Sequence, residues 1–168
     1  SRRTLVVHAH PDDESMFTGH VIADRLQAGG EVYVLTLTRG ERGKMKLEEL
    51  KGLEGQLASM GAFRSGELRV ALDAFKQAGA KLQHSFAGTR KFLDSGMRIN
   101  AMGKPTKKHR LDEMSLAAAG TAVIAEDILN VIKEFKPDAV ITYNSKGGFG
   151  HPDHKMAHQA TAMAIRRY

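Results

Sequence analysis

Short β-branched apolar runs alternate along this chain with longer stretches of helical period, and that alternation narrows the available folds more than any other feature. Thr4-Leu5-Val6-Val7-His8 reads as a buried strand. From Met16 to Gln27 the residues Phe17, Val21, Ile22 and Leu26 recur at helical spacing, and Gly29-Gly30 stops the run. Glu31 to Leu37 is β-branched again and gives way to the turn-rich Thr38-Arg39-Gly40-Glu41-Arg42-Gly43. Two strands joined by a helix in this way run parallel. Lys46 to Met60 has helical composition broken by glycines, and a second amphipathic stretch starts at Glu67, with Leu68, Leu72, Phe75 and Ala78 on one side and a stop at Gly79. Lys81 to Phe86 is predicted as a third strand. Ala87 to Glu113 is a mixed loop of a length expected only where the loop has a function. One strong helix is predicted from Met114 to Lys136, closed by Pro137, then a buried strand from Asp138 to Tyr143, the glycine-rich loop Asn144 to Gly150, and a last helix from Asp153 to Arg167. The predicted fold class is α/β: a Rossmann-like open, mainly parallel sheet with helices on both faces, whose ligands bind beyond the carboxyl ends of the strands.

Composition bounds the function. At 168 residues, 42% hydrophobic and 26% charged, the chain has the make-up of one globular domain, 1–168, without repeats or linkers. No apolar run approaches the roughly 20 residues of a membrane-spanning helix, and Leu5 to Val7 is too brief for a signal-peptide core, so a cytoplasmic protein is expected. Because the chain begins at Ser1, a trimmed leader stays open. Cysteine is absent, which leaves His, Asp and Glu as the strong metal ligands. The net charge is +6, but its densest run, Lys104 to Arg110, lacks interleaved aromatics and reads as a solvated loop or a rim for an anionic substrate rather than a nucleic-acid surface. A small-molecule partner is expected. Oligomeric state is open, and a homo-oligomer is compatible with the sequence.

Two clusters carry the chemistry. His10, Asp12 and Asp13 follow the first strand on a turn stiffened by Pro11, and His151, Asp153 and His154 fall within four residues after another. At the same end of two parallel strands they can converge on one point, which suits a catalytic zinc: three N/O ligands and an open position for water. A hydrolytic metal site also needs a base and a group to stabilise the oxyanion, and the two clusters hold enough spare residues for both. Helix capping is the simpler alternative for Asp12, Asp13, His151 and Asp153 taken singly. His8, His20, His84, His109 and His158 read as packing or surface residues, although His158 lies one turn beyond His154. Met16, Met97, Met102, Met114 and Met156 read as core or loop filling.

Ala9-His10-Pro11-Asp12-Asp13-Glu14 and Gly150-His151-Pro152-Asp153-His154 resemble the two signature motifs of the PIG-L/LmbE-like zinc de-N-acetylases. Weaker likeness runs through Thr38 to Gly43, Asp94-Ser95-Gly96-Met97, Thr142-Tyr143 and Gly147-Gly148, and looks most like the actinobacterial mycothiol branch, which contains a deacetylase of N-acetylglucosaminyl-inositol and a mycothiol-conjugate amidase. The resemblance implies that His10, Asp13 and His154 bind Zn2+, with Fe2+ or Co2+ as substitutes, and that Asp12 is the general base. It implies that His151 is the cationic acid, with Asp153 hydrogen-bonded to it, and that Asp94 and Arg64, or Arg69 in its place, meet the hydroxyls of an amino-sugar substrate. The implied activity is hydrolysis of the acetamide of a glucosamine-type conjugate to acetate and a free amine. The alternatives are a mycothiol S-conjugate amidase and, from another class, a non-catalytic metal- or sugar-binding relative. In the mycothiol branch a tyrosine commonly precedes the Gly-His of the second motif, where this chain has Phe149. The family also continues with further strands beyond the second motif, so a C-terminal portion beyond Tyr168 is expected.

Overall fold

The computed structural model describes residues 2–76, 80–88 and 91–168. Its four-stranded sheet has the order β3-β2-β1-β6, with β1 at Arg3–His8, β2 at Glu31–Thr36, β3 at Lys81–Phe86 and β6 at Ala139–Ile141, every neighbouring pair parallel. Successive side chains on a strand face opposite ways, so each strand feeds two cores. Leu5, Val7 and Leu35 pack on one face with Ile124, Ile128 and Ile132 of α4 (Thr121–Phe135) and Ala157, Ala160 and Ala164 of α5 (Pro152–Arg167). Val6, Val32 and Val34 pack on the other with Ile22 and Leu26 of α1 (Asp13–Gln27) and Leu68 and Leu72 of α2 (Leu57–Phe75). The expected parallel sheet with helices on both faces is what forms.

Strand order places the site. The chain steps outward from β1 to β2 to β3, then returns to pair β6 with the opposite edge of β1. The order therefore reverses between β1 and β6, and at such a point the loops leaving two adjacent strands diverge to opposite faces and open a crevice at the carboxyl ends. The two His/Asp segments are the loops that leave β1 and β6.

Several element boundaries differ from expectation. Met114 to Lys136 is not one helix: Gly120, at φ 85° and ψ 145°, separates a short α3 (Leu116–Ala119) from α4. Only glycine adopts that backbone without strain, and the apolar periodicity on either side conceals the break. The two stretches predicted between Lys46 and Gly79 rearrange into a 3-10 turn at Glu48–Leu53 and the single helix α2, which runs through Gly61 and Gly66. Gly61 serves close approach, since a Cβ there would lie 3.0 Å from Glu41 Cγ and 3.3 Å from Arg39 Cβ. Ala78 and the stop at Gly79 lie outside the described residues. The long loop carries a small antiparallel pair, β4 (Arg98–Ile99) with β5 (Pro105–Thr106). Met16, Met97, Met102 and Met114 are exposed rather than core residues, and of the five expected fillers only Met156 is buried.

Candidate metal centre

After β1 the chain turns through Ala9-His10-Pro11-Asp12 into α1. Asp12 has left-handed backbone angles, φ 81° and ψ −23°, and its side chain makes no cap. Such a conformation costs a non-glycine residue on the order of 1–3 kcal/mol, and the surroundings must enforce it. The Asp12 carboxylate keeps 62% of its side-chain surface open and is not consumed by helix capping. Burial of the turn lifts its pKa, with Arg64 pulling the other way. Asp13 instead folds inward, and its Oδ2 accepts the His10 N–H at 3.0 Å.

On the other side, Gly147, Gly148 and Gly150 take positive φ in the loop that delivers His151 and His154. His151 is the N-cap of α5: its Nδ1 accepts the Asp153 N–H at 3.1 Å, with Pro152 in the first helical position. His154 Nδ1 lies 3.3 Å from the Gly147 carbonyl oxygen, to which it can only donate. The lone pair of a neutral His154 is therefore on Nε2, and that atom sits 3.3 Å from Asp13 Oδ2.

His10 is set in the same sense. Its Nε2 is 3.0 Å from Asp153 Oδ2 and 3.5 Å from Asp94 Oδ1, both acceptors, so the neutral ring carries its proton there and turns the Nδ1 lone pair to Asp13 Oδ2 at 3.4 Å. Zinc–nitrogen and zinc–oxygen bonds of about 2.0–2.1 Å give tetrahedral edges of about 3.3 Å. Both measured edges match, and a carboxylate behind a metal-facing imidazole is the usual way of fixing its tautomer. Those two edges are of the length that a divalent cation between His10, Asp13 and His154 would need. His10, His151 and His154 also bring ring nitrogens within 4.8 Å of one another, as do ligand atoms of His10, Asp94, His151 and Asp153.

Electrostatics reflect the crowding. Burial works against charge on His10, yet Asp94, Asp13 and Asp153 outweigh it and hold the imidazole well above its ordinary pKa. Asp13, although buried, is held well below the carboxylate range by His10 and His154. Burial, together with the charge of His10, pushes His151 down to about 4 despite Asp153 and Asp94.

The geometry shows what three of the expected site residues touch. Asp153 turns its carboxylate to His10 and to the Ser95 N–H at 3.0 Å, not to the His151 ring. Asp94 is buried beside His10, its oxygens accepting the Gly96 N–H at 2.7 Å and the Arg42 N–H at 3.3 Å. Arg64 is drawn into the turn, where it bonds Asp12, Pro11 and Gly40.

Tyr143, at the carboxyl end of β6, was not singled out from sequence as a site residue. Its hydroxyl donates to Asp13 Oδ2 at 2.5 Å and accepts the Ala9 N–H at 2.8 Å, and its ring stacks on His154 with centroids 4.0 Å apart. The available signal is a lone hydroxyl-bearing aromatic just after a β-branched strand. Phe17 and Phe149, both partly exposed, edge the His154 ring. His8 bonds Thr18, and His158 bonds the Tyr143 carbonyl rather than facing the cleft.

The family model described as PIG-L: GlcNAc-PI de-N-acetylase matches residues 5–165. The chain belongs to the PIG-L family. It is 40% identical over 164 residues to a 1D-myo-inositol 2-acetamido-2-deoxy-alpha-D-glucopyranoside deacetylase of Kineococcus radiotolerans, covering 98% of this chain and 45% of that protein. With the deacetylase of the same name from Rhodococcus jostii it shares 42% over 166 residues, covering 98% and 53%. Among solved structures, the PIG-L fold is shared with a deacetylase–bog complex of the teicoplanin biosynthesis pathway, at a TM-score of 0.68 and 26% identity over 98% of this chain and 63% of that one. The chain spans about half the length of these curated relatives. Among the described residues no helix is long and apolar enough to cross a membrane.

Proposed function

We propose that this chain carries the catalytic centre of a metal-dependent de-N-acetylase that hydrolyses the acetamide of a glucosamine-type conjugate. The observation that carries the reading is the pair of imidazole nitrogens, His10 Nδ1 and His154 Nε2, set 3.3–3.4 Å from the one Asp13 oxygen, where each neutral ring would offer its lone pair to a cation. The named activity of the mycothiol-pathway relatives makes an N-acetylglucosaminyl-inositol the first substrate to try. Zinc is the favoured ion for a site of two imidazoles and one carboxylate, with Fe2+ or Co2+ as substitutes. When bound, the ion supplies a Lewis acid that lowers the pKa of a coordinated water and draws charge from the acyl carbonyl.

The chain's own residues do the rest. Asp12, open to solvent beside Asp13, takes the proton from the attacking water. The same carboxyl then returns that proton to the amine nitrogen as the C–N bond breaks, so that acetate and a free amine leave. His151 is suited to stabilise the oxyanion as a neutral donor. Because its Nδ1 is occupied by the Asp153 N–H, the neutral ring carries its proton on Nε2. That role differs from the cationic acid implied by family resemblance, since a pKa near 4 leaves the ring uncharged at neutral pH.

Acetate release from N-acetylglucosaminyl-inositol by the zinc-equilibrated protein tests the activity. Asp12→Ala is expected to keep bound zinc and lose about 10²–10⁴-fold in kcat, the usual worth of general-base assistance. Asp13→Ala is expected to lose zinc. Zinc retained in the second variant and lost in the first would reverse the assignment, and no acetate from the wild-type protein would end it.

A further inference from the structure

We infer that Arg64 is a positioning residue: its guanidinium forks across the first His/Asp turn and holds the Asp12 carboxylate in place. The inference rests on the reading of Asp12 as the base. Arg64 reaches from α2 across to the loop after β1. Nη2 donates to the Pro11 carbonyl at 2.8 Å and to Asp12 Oδ2 at 3.1 Å, while Nη1 donates to the Gly40 carbonyl at 2.9 Å. One nitrogen therefore grips both the peptide that enters Asp12 and the Asp12 side chain. The second nitrogen anchors that grip to the loop after β2.

The loop is shaped around the guanidinium. A Cβ on Gly40 would stand 2.0 Å from Arg64 Nη1, and one on Gly43 would stand 2.8 Å from it. Gly40 also has φ +68°, a conformation natural to glycine. Only 12% of the Arg64 side-chain surface is exposed, and three of the five N–H donors of a guanidinium are spent on these contacts. A planar fork can bridge a carbonyl and a carboxylate from one nitrogen while reaching a third acceptor with the other, whereas a lysine ammonium is a point charge on a flexible stem. The left-handed turn at Asp12 has no side-chain cap to hold it, and Arg64 supplies the constraint that the cap does not.

The test separates positioning from substrate contact. With the zinc-loaded protein and N-acetylglucosaminyl-inositol as probe, Arg64→Ala is expected to lower kcat by about 10²-fold, the size of effect that misplacing a catalytic group produces. KM should stay within about threefold and zinc content should be unchanged, the signature of a group used only in the transition state. Added guanidinium ion should restore part of kcat. Arg64→Lys, which preserves the charge and the bulk of the stem, should show the same split and serves if Arg64→Ala does not fold. In the Asp12→Ala background, Arg64→Ala should cost nothing further, because a residue acting through Asp12 has nothing left to position. A rise in KM with kcat retained, or additive losses in the double variant, would overturn the inference and return Arg64 to the substrate. Turnover surviving in Asp12→Ala would instead sink the base assignment, so the two failures are distinguishable.

Discussion

Asp153 lies on the far side of His10 from Nδ1, the nitrogen proposed to face the metal, and this decides what its substitution does. Its carboxylate holds the His10 Nε2–H at 3.0 Å and so makes Nδ1 a better ligand. Asp153→Asn is expected to weaken zinc by about 10–100-fold in a chelator-competition titration, with kcat at saturating zinc changed less than the affinity. A variant that kept zinc affinity and shifted only the pH profile would put Asp153 back beside His151. At this scale the sequence was legible where ligand and base share a turn, as in His10 to Asp13, because strand ends set the direction of adjacent residues. The contacts that Asp94, Ser95 and Tyr143 make were not legible. Their contacts depend on how a loop more than 50 residues beyond Glu41 and Arg42, and a strand end 130 residues beyond Asp13, fold back on the loops after β2 and β1.

Among the elements, Gly120 is the sharpest punctuation. Its φ of 85° lets α3 stop and α4 start with one residue between them, so that Leu116 and Ile124 both reach the same core. Gly120→Ala puts a side chain in a backbone region that disfavours it. It is expected to lower stability by about 1 kcal/mol or more in urea titration, with zinc content unaffected. No loss at all would mean that the helices can merge without cost. Strands and amphipathic helices were readable because period and β-branching are local, and the helix break was hidden because both flanks share one apolar period. Gly61 and Gly66 fall between the two predicted stretches, yet α2 runs through both, and Gly61 lets the helix pass close to Glu41.

Across the whole molecule, neutral buried imidazoles set acid tolerance. His84, on β3, shares a hydrogen bond with Thr36 at 3.1 Å, and burial, aided by Lys76 and Arg39, pushes its pKa from 6.5 down to about 4. The unfolded chain then binds a proton at a pH where the folded chain does not. Its contribution to stability is fully present above about pH 6.5, and is lost progressively as pH falls toward 4. Urea midpoints measured across that window should fall for the wild type and fall less steeply for His84→Gln. Equal slopes would show that other groups carry the acid response.

The reversal of strand order between β1 and β6 also bears on how the chain acquires its metal over time. His10 and Asp153 are separated by 143 residues, and Tyr143 and Asp13 by 130, so the proposed cation site closes only through contacts of very long range. Such contacts form late, because the entropy of closing a large loop must be met before they yield anything in return. During synthesis the first motif emerges long before its counterpart and waits on a β1–β2 unit that holds only part of the ligand set. Competence to capture zinc should therefore appear with the slowest refolding phase rather than the first. In stopped-flow refolding with a zinc-sensitive dye, uptake ahead of β6 docking would show that the N-terminal half captures the ion unaided.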